Sequence, residues 1–236
     1  MELIKEQWTK KDIAPFQEYL LSFSKGEEKS KWENHIVNTN LPCIAVPNEK
    51  VQDICKQICK GNYLSFVKLW IWENHTNTIL LAKIISNINE FETQKFYLLK
   101  LAENADNWST IDSINIKPNI KDKNKYYEFA SDLVKDSNPF TRRLGLIILL
   151  KLSKFSDLTN RILNIADSLF DEKHYYVNMA NAWLVCEMYI KHREATLLLL
   201  KAKTLNSFTQ NKAISKCRDS FRVSQEDKEM LLKYKK

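Results

Sequence analysis

Two stretches of the chain set reactive or stacking side chains at helical spacing. In the first, Asn104 to Ser113, Trp108 and Asp112 stand four residues apart. Four residues make about one helical turn, so on a helix the two share one face. An ionised carboxylate in such a place can stabilise developing positive charge and orient a water, and a flat aromatic beside it can pack on a cationic ring. The second stretch, Tyr175-Tyr176-Val177-Asn178-Met179-Ala180-Asn181-Ala182-Trp183, brings three more aromatics. Between the two lie the first arginines of the sequence, Arg142 and Arg143, at an expected helix start that suits phosphate contact. Plainer roles compete for each residue. Trp108 and Trp183 would serve equally as core residues, Asp112 and the arginines as solvated helix faces, and Tyr175 and Tyr176 as half-buried helix aromatics.

Other chemistries find little support. The cysteines at 43, 55, 59, 186 and 217 are odd in number, and Cys55 and Cys59 lie one turn apart on an expected helix. Small core residues are the simpler reading of that pair. His35, His75, His174 and His192 are scattered, and none makes a ligand spacing with a pair of cysteines. The expectation is therefore no metal and no cofactor.

The elements that hold these residues are read from composition and periodicity. Only 3 Gly and 5 Pro occur in 236 residues. Sandwiches, barrels and dinucleotide-binding folds use glycine in their turns, so an all-α chain is expected. Helical spacing covers Trp8 to Phe23, Glu27 to Val37 and Pro47 to Gly61, with an extended connector at Leu41 to Pro47. Helices then follow in pairs: Tyr63 to Trp72 with Thr76 to Ile88, and Phe91 to Ala105 with Trp108 to Ile114. After a polar connector, Asn115 to Asn124, Tyr126 to Val134 pairs with Pro139 to Leu152, and Leu158 to Phe170 with Tyr175 to Ile190. Glu194 to Lys201, Ser207 to Cys217 and Gln225 to Tyr234 complete the chain. A pair about every thirty to forty residues is close to the range of HEAT and armadillo repeats. The expected architecture is thus a HEAT-like helical-repeat solenoid, one domain over residues 1–236, with a compact helical bundle as the competitor.

Charge is uneven. Residues 1–118 hold 14 Lys and no Arg against 15 acidic residues, whereas residues 119–236 hold 16 Lys and 6 Arg against 14. A surplus of eight positive charges in the second half favours a polyanionic partner. The longest apolar run, Leu144 to Leu150, is too short to span a bilayer, and the N-terminus lacks the apolar core of a signal peptide. A cytoplasmic monomer with no membrane contact is expected.

These residues, in this order, resemble the DNA alkylation repair family of HEAT-like-repeat alkylpurine DNA glycosylases. The likeness runs through the Leu41–Ile58 connector and helix, Asp106-Asn107-Trp108 with Asp112, the Arg142-Arg143 helix and Met179 to Trp183. It ends at Cys217-Arg218-Asp219-Ser220-Phe221-Arg222-Val223-Ser224, similar to a C-terminal motif of a less-studied branch. The resemblance implies a C-shaped solenoid holding duplex DNA chiefly by its phosphate backbone. It implies Asp112 as the catalytic carboxylate, Trp108 and Trp183 as aromatic contacts and Arg143 as a backbone contact, and Tyr176 and Arg142 are expected beside them as DNA-binding residues. The implied reaction is hydrolysis of the N-glycosidic bond of N3- or N7-alkylpurines, whose cationic base leaves without a strong general acid. Active relatives tend to carry a basic residue soon after the second Trp, where this chain has Leu184-Val185-Cys186. Two other functions therefore stand beside the glycosylase: a catalytically silent DNA-structure binder of the same family, and a helical scaffold for protein partners.

Overall fold

The computed structural model describes all residues, 1–236. Fourteen α-helices and three short 3-10 turns make up its regular structure, with no strand, as the shortage of glycine requires. The chain divides into two compact units, Met1–Ile116 and Lys117–Lys236. The boundary falls inside the polar connector and also separates the charge. The first unit has 13 Lys against 15 acidic residues, the second 17 Lys and 6 Arg against 14.

The first unit contains α1 (Ile13–Leu21), α2 (Glu27–Val37), α3 (Asn48–Ile58), α4 (Tyr63–Leu69), α5 (His75–Ile85), α6 (Phe91–Asn104) and α7 (Trp108–Asp112). Helix α5 is its centre. Leu80, Leu81, Ala82, Ile84 and Ile85 are fully buried, with α3, α4, α6 and α7 packed around them. A second cluster forms where Trp8, Phe16 and Phe66 meet edge to face, with centroids 5.0–5.6 Å apart. Trp8 lies outside the first helix, although the apolar spacing includes it; its bulk anchors the extended N-terminal segment instead. Helix α4 also stops early. Trp70 adopts φ 50°, uncommon for a bulky residue, and so lets Ile71 turn inward while the Trp70 and Trp72 indoles stack at 5.6 Å.

The second unit contains α8 (Lys123–Leu133), α9 (Pro139–Leu152), α10 (Thr159–Ser168), α11 (Tyr175–Lys191), α12 (Arg193–Ala202), α13 (Ser207–Asp219) and α14 (Gln225–Leu231). Helices α9, α11 and α13 pack side by side, with α11 between the others; α8 lies on α9, α10 and α12 on α11, and α14 on α13. Gly145 lets α8 and α9 approach closely, since a Cβ there would lie 2.8 Å from the Ala130 carbonyl oxygen and from Val134 Cγ1.

A repeat that is faint in the sequence is plain at the helix starts. Helices α5, α7, α9, α11 and α13 begin at residues 75, 108, 139, 175 and 207, steps of 31 to 36 residues. Four of the five are capped by asparagine: the Asn74, Asn107, Asn138 and Asn206 side chains accept backbone N–H groups of the first turn. The third helical residue, Asn77, Thr110, Thr141 or Thr209, is fully buried at each of these starts. Across these helices buried polar groups join: Thr78 Oγ1 and Thr110 Oγ1 are 2.6 Å apart, and Thr209 Oγ1 donates to Asn178 Oδ1 at 3.0 Å.

The connector before α3 contains one strained residue. Ala45 has φ 49°, a left-handed conformation that costs an L-residue about 1–2 kcal/mol. Its N–H donates to Glu33 Oε2 at 2.8 Å, and its carbonyl accepts the Lys25 N–H at 3.2 Å, which holds it there. Ala45→Gly is expected to stabilise the fold by about 1 kcal/mol, part of the relief being offset by the freer unfolded chain. A thermal melt should move up by about 2–4 °C.

Candidate functional site

Helix α7 is a single turn, and its sequence sets both ends. Asn107 starts it, accepting the Thr110 N–H at 2.9 Å. Ile111 and Thr110 turn inward and are fully buried, which leaves Trp108 and Asp112 half-buried at the first and last positions. The Trp108 indole Nε1 donates to the Ile36 carbonyl of α2 at 3.4 Å, fixing the ring plane against its neighbour. The structure thus brings Trp108 and Asp112 to one turn, as their spacing predicts.

A second carboxylate stands just before this turn and has a different task. Asp106 accepts from Thr39 Oγ1 at 2.8 Å, from the Asn40 N–H at 2.6 Å and from Asn107 Nδ2 at 2.9 Å. Burial pushes its pKa up, but the hydrogen bonds from Asn107, Asn40 and Thr39 outweigh it and hold the carboxyl below its ordinary value. Asp106 is therefore used up in fastening the connector to the start of α7. Asp112 closes the same helix, where negative charge is disfavoured by the exposed carbonyls.

In the second unit, α11 buries most of its circumference, including Val177, Ala180, Ala182, Leu184, Val185, Cys186 and Met188. Tyr176, Met179 and Trp183 are half-buried and recur at three and four residues, so they form one stripe that reaches solvent. At the start of the helix, Tyr176 lies 5.8 Å from Phe140 of α9 and 5.4 Å from Tyr175, which meets Phe208 of α13 at 5.6 Å. The ring contacts thus run across the first turns of three neighbouring helices. His174 belongs to the same group, 5.8 Å from Tyr176. Burial, with the Arg142 charge, pushes its pKa down, against a smaller opposing pull from Glu172.

The two arginines are not on a solvated face. Arg142 Nε pairs with Glu172 Oε2 at 2.8 Å, and its Nη1 donates to the Asp136 and Ser137 carbonyls at 2.9 and 2.8 Å. Arg143 is 5 % exposed and donates through Nη1 to the Tyr176 carbonyl. In this structure both guanidinium groups are engaged by protein acceptors. The reason is the helix that carries them. From Arg143 to Leu150 every residue of α9 is buried, so there is no open face for Arg143 to occupy.

The C-terminal motif also fastens. Arg222 forks onto the Glu187 carboxylate of α11, with Nη1 3.1 Å from Oε2 and a short contact from Nη2 to Oε1, while Lys191 Nζ lies 3.6 Å from Oε2. Val223 is buried and Phe221 is 92 % exposed. Glu187 was missed in the sequence, though a lone acid in the apolar run Leu184 to Tyr189 is a signal for a paired buried charge.

All-helical units, a repeated Asn-capped helix start and an aromatic–carboxylate turn define a helical-repeat protein. Its family follows from comparison with known sequences: the model for the DNA alkylation repair enzyme family matches residues 16–217. The chain therefore belongs to the DNA alkylation repair enzyme family and has its place in the repair of alkylated DNA. No curated protein matches the chain. The match ends at Cys217, so the rest of the C-terminal motif lies outside it. No helix is long and apolar enough to cross a membrane.

Proposed function

We propose that the protein is a cytoplasmic DNA glycosylase that hydrolyses the N-glycosidic bond of N3- and N7-alkylpurines in duplex DNA. In this reading residues 1–236 form one HEAT-like-repeat domain, since the 31-residue step from the start of α7 to that of α9 keeps the spacing of the other repeats. The observation that carries the reading is the α7 turn, which sets Trp108 and Asp112 half-buried at the first and last positions of one helical turn.

The chemistry asks little of the protein. Alkylation already makes the base cationic, so the C1′–N bond breaks with its electron pair leaving on a neutral purine. Water adds to C1′ and gives up a proton. A carboxylate about 4 Å from the oxocarbenium-like sugar contributes about 4 kcal/mol at an effective dielectric of 20. That corresponds to about three decades in rate. Asp112 is assigned this role and the orientation of the water. Trp108 is assigned packing beside the sugar, and Trp183 and Tyr176 of the second unit aromatic contact with DNA, each worth about 0.5–2 kcal/mol. The phosphate backbone is left to the surplus positive charge of the second unit, with Arg142 and Arg143 in support of the residues around them.

A silent DNA-structure binder is the second reading, and a specific observation favours it. Leu184, Val185 and Cys186 are all buried and uncharged, so α11 offers no cation in the turn after Trp183. A base-release assay on methylated duplex DNA separates the two. Release of free N7-methylguanine above the spontaneous rate supports the glycosylase; tight, salt-sensitive binding without release supports the silent binder. Absence of DNA binding at moderate salt would leave a protein scaffold as the surviving function.

A further inference from the structure

Three side chains that are far apart in sequence meet beside the connector of the first unit. Glu33 lies on α2, Cys43 in the connector, and His75 is the first residue of α5. A ring nitrogen of His75, Sγ of Cys43 and a carboxylate oxygen of Glu33 all lie within 4.8 Å of one another. We propose that Glu33, Cys43 and His75 form a binding site for one divalent transition-metal ion of the zinc class, with the remaining coordination position left to water.

The donor set fits the ion. Imidazole, thiolate and carboxylate together are borderline in softness, which suits zinc and disfavours magnesium or calcium. With Cys43 and Glu33 ionised and His75 neutral, the site carries two negative charges, which a dication cancels. Bond lengths of about 2.0–2.3 Å place ligands of a tetrahedral ion about 3.3–3.8 Å apart. The Glu33 Oε1 to His75 Nδ1 contact is 2.7 Å and would have to open by about 0.6 Å to reach that edge, a small shift for a half-buried glutamate.

The surroundings hold these ligands in place. The His75 N–H donates to the Pro42 carbonyl at 2.9 Å, which ties the residue before Cys43 to the residue that carries the imidazole. Glu33 Oε2 accepts the Ala45 N–H at 2.8 Å, which fixes its carboxylate on the other side of Cys43. Asn34 Nδ2 approaches Cys43 Sγ at 3.9 Å, a donor placed where a thiolate would use one. A structural Glu–His hydrogen bond accounts for the contact between Glu33 and His75 but not for the Cys43 thiol beside both. The same connector reaches Asp106 through Thr39 and Asn40, so a bound ion would stiffen the support of the Trp108 turn.

The site is tested on the full chain stripped of metal by a chelator and titrated with cobalt(II), then with zinc(II). One equivalent of cobalt should produce a thiolate-to-cobalt band in the near ultraviolet and the visible bands of a four-coordinate ion, and zinc should displace both. The cobalt band should vanish in Cys43→Ser, and affinity should fall at least tenfold in Glu33→Gln. Both residues are half-buried and off the helical core, and unchanged far-ultraviolet helicity will show that the variants fold. Zinc at about a hundredfold above its Kd should raise the wild-type melting temperature by about 5–10 °C and leave that of Cys43→Ser unmoved. No stoichiometric binding would overturn the site, as would a band that survives Cys43→Ser, since that would place the thiolate among the other four cysteines. If Cys43→Ser fails to fold, protection of Cys43 from alkylation by zinc decides in its place: protection supports the site, and unchanged alkylation overturns it.

Discussion

Asp112→Asn is expected to lower release of N7-methylguanine by about two to four decades while leaving duplex affinity within about twofold of wild type. The substitution keeps size and most hydrogen bonding and removes only the charge. If that charge acts on the oxocarbenium-like sugar, its loss appears in the transition state and not in ground-state binding. The expected loss is roughly 3–5 kcal/mol, measured as the ratio of single-turnover rates. Asp106→Asn is the matched control on the same segment. Its carboxylate is held by Thr39, Asn40 and Asn107, so its loss should lower the melting temperature and change turnover only through folding. Equal activity of Asp112→Asn and wild type would remove Asp112 from the mechanism. An inactive wild type that binds duplex would transfer the argument to the silent binder.

What the sequence could reveal depended on how far apart the interacting residues lie. The Trp108–Asp112 turn was readable because both residues belong to one helical turn and Asn107 caps it. The helix pairs were readable for the same reason: periodicity is a local property. The contacts that fasten these helices are not local. Thr39 to Asp106 spans 67 residues and Glu33 to His75 spans 42, and no pattern of neighbours announces either. Hence the expectation of no metal ligand set arose from spacing, while the fold gathers three donors from α2, the connector and α5. The arginines show a burial that spacing alone does not fix. Two adjacent residues on a helix point about 100° apart, and here Arg142 turns to Glu172 while Arg143 turns to the Tyr176 carbonyl. Leu144 to Leu150 follows them as an unbroken apolar run, the mark of a helix buried all round, and that run points to an inward Arg143. The repeat was faint because it lives in caps and not in the apolar pattern. Asn-Trp-Ser-Thr at 107, Asn-Pro-Phe-Thr at 138 and Asn-Ser-Phe-Thr at 206 are one element written three times.

Arg143→Ala should be a stability variant before it is a binding variant. The guanidinium is 5 % exposed and donates to the Tyr176 carbonyl in the first turn of α11, so it bridges α9 to the helix that carries the aromatic stripe. A hydrogen bond from a charged donor contributes about 1.5–3 kcal/mol, and the buried stem adds packing. A loss of about 3 kcal/mol would lower the melting temperature by about 6–12 °C. Arg143→Lys keeps the charge but loses the planar fork, and should recover less than half of that loss. The salt dependence of duplex binding separates this from the surface reading. An arginine that neutralises a phosphate contributes about one unit to the slope of log K against log salt, and alanine in its place removes that unit. Arg143→Ala should leave the slope within about 0.3 of wild type when binding is compared well below both melting temperatures. A slope reduced by a full unit with an unchanged melting temperature would show that Arg143 leaves the Tyr176 carbonyl for DNA, and that α9 opens on binding.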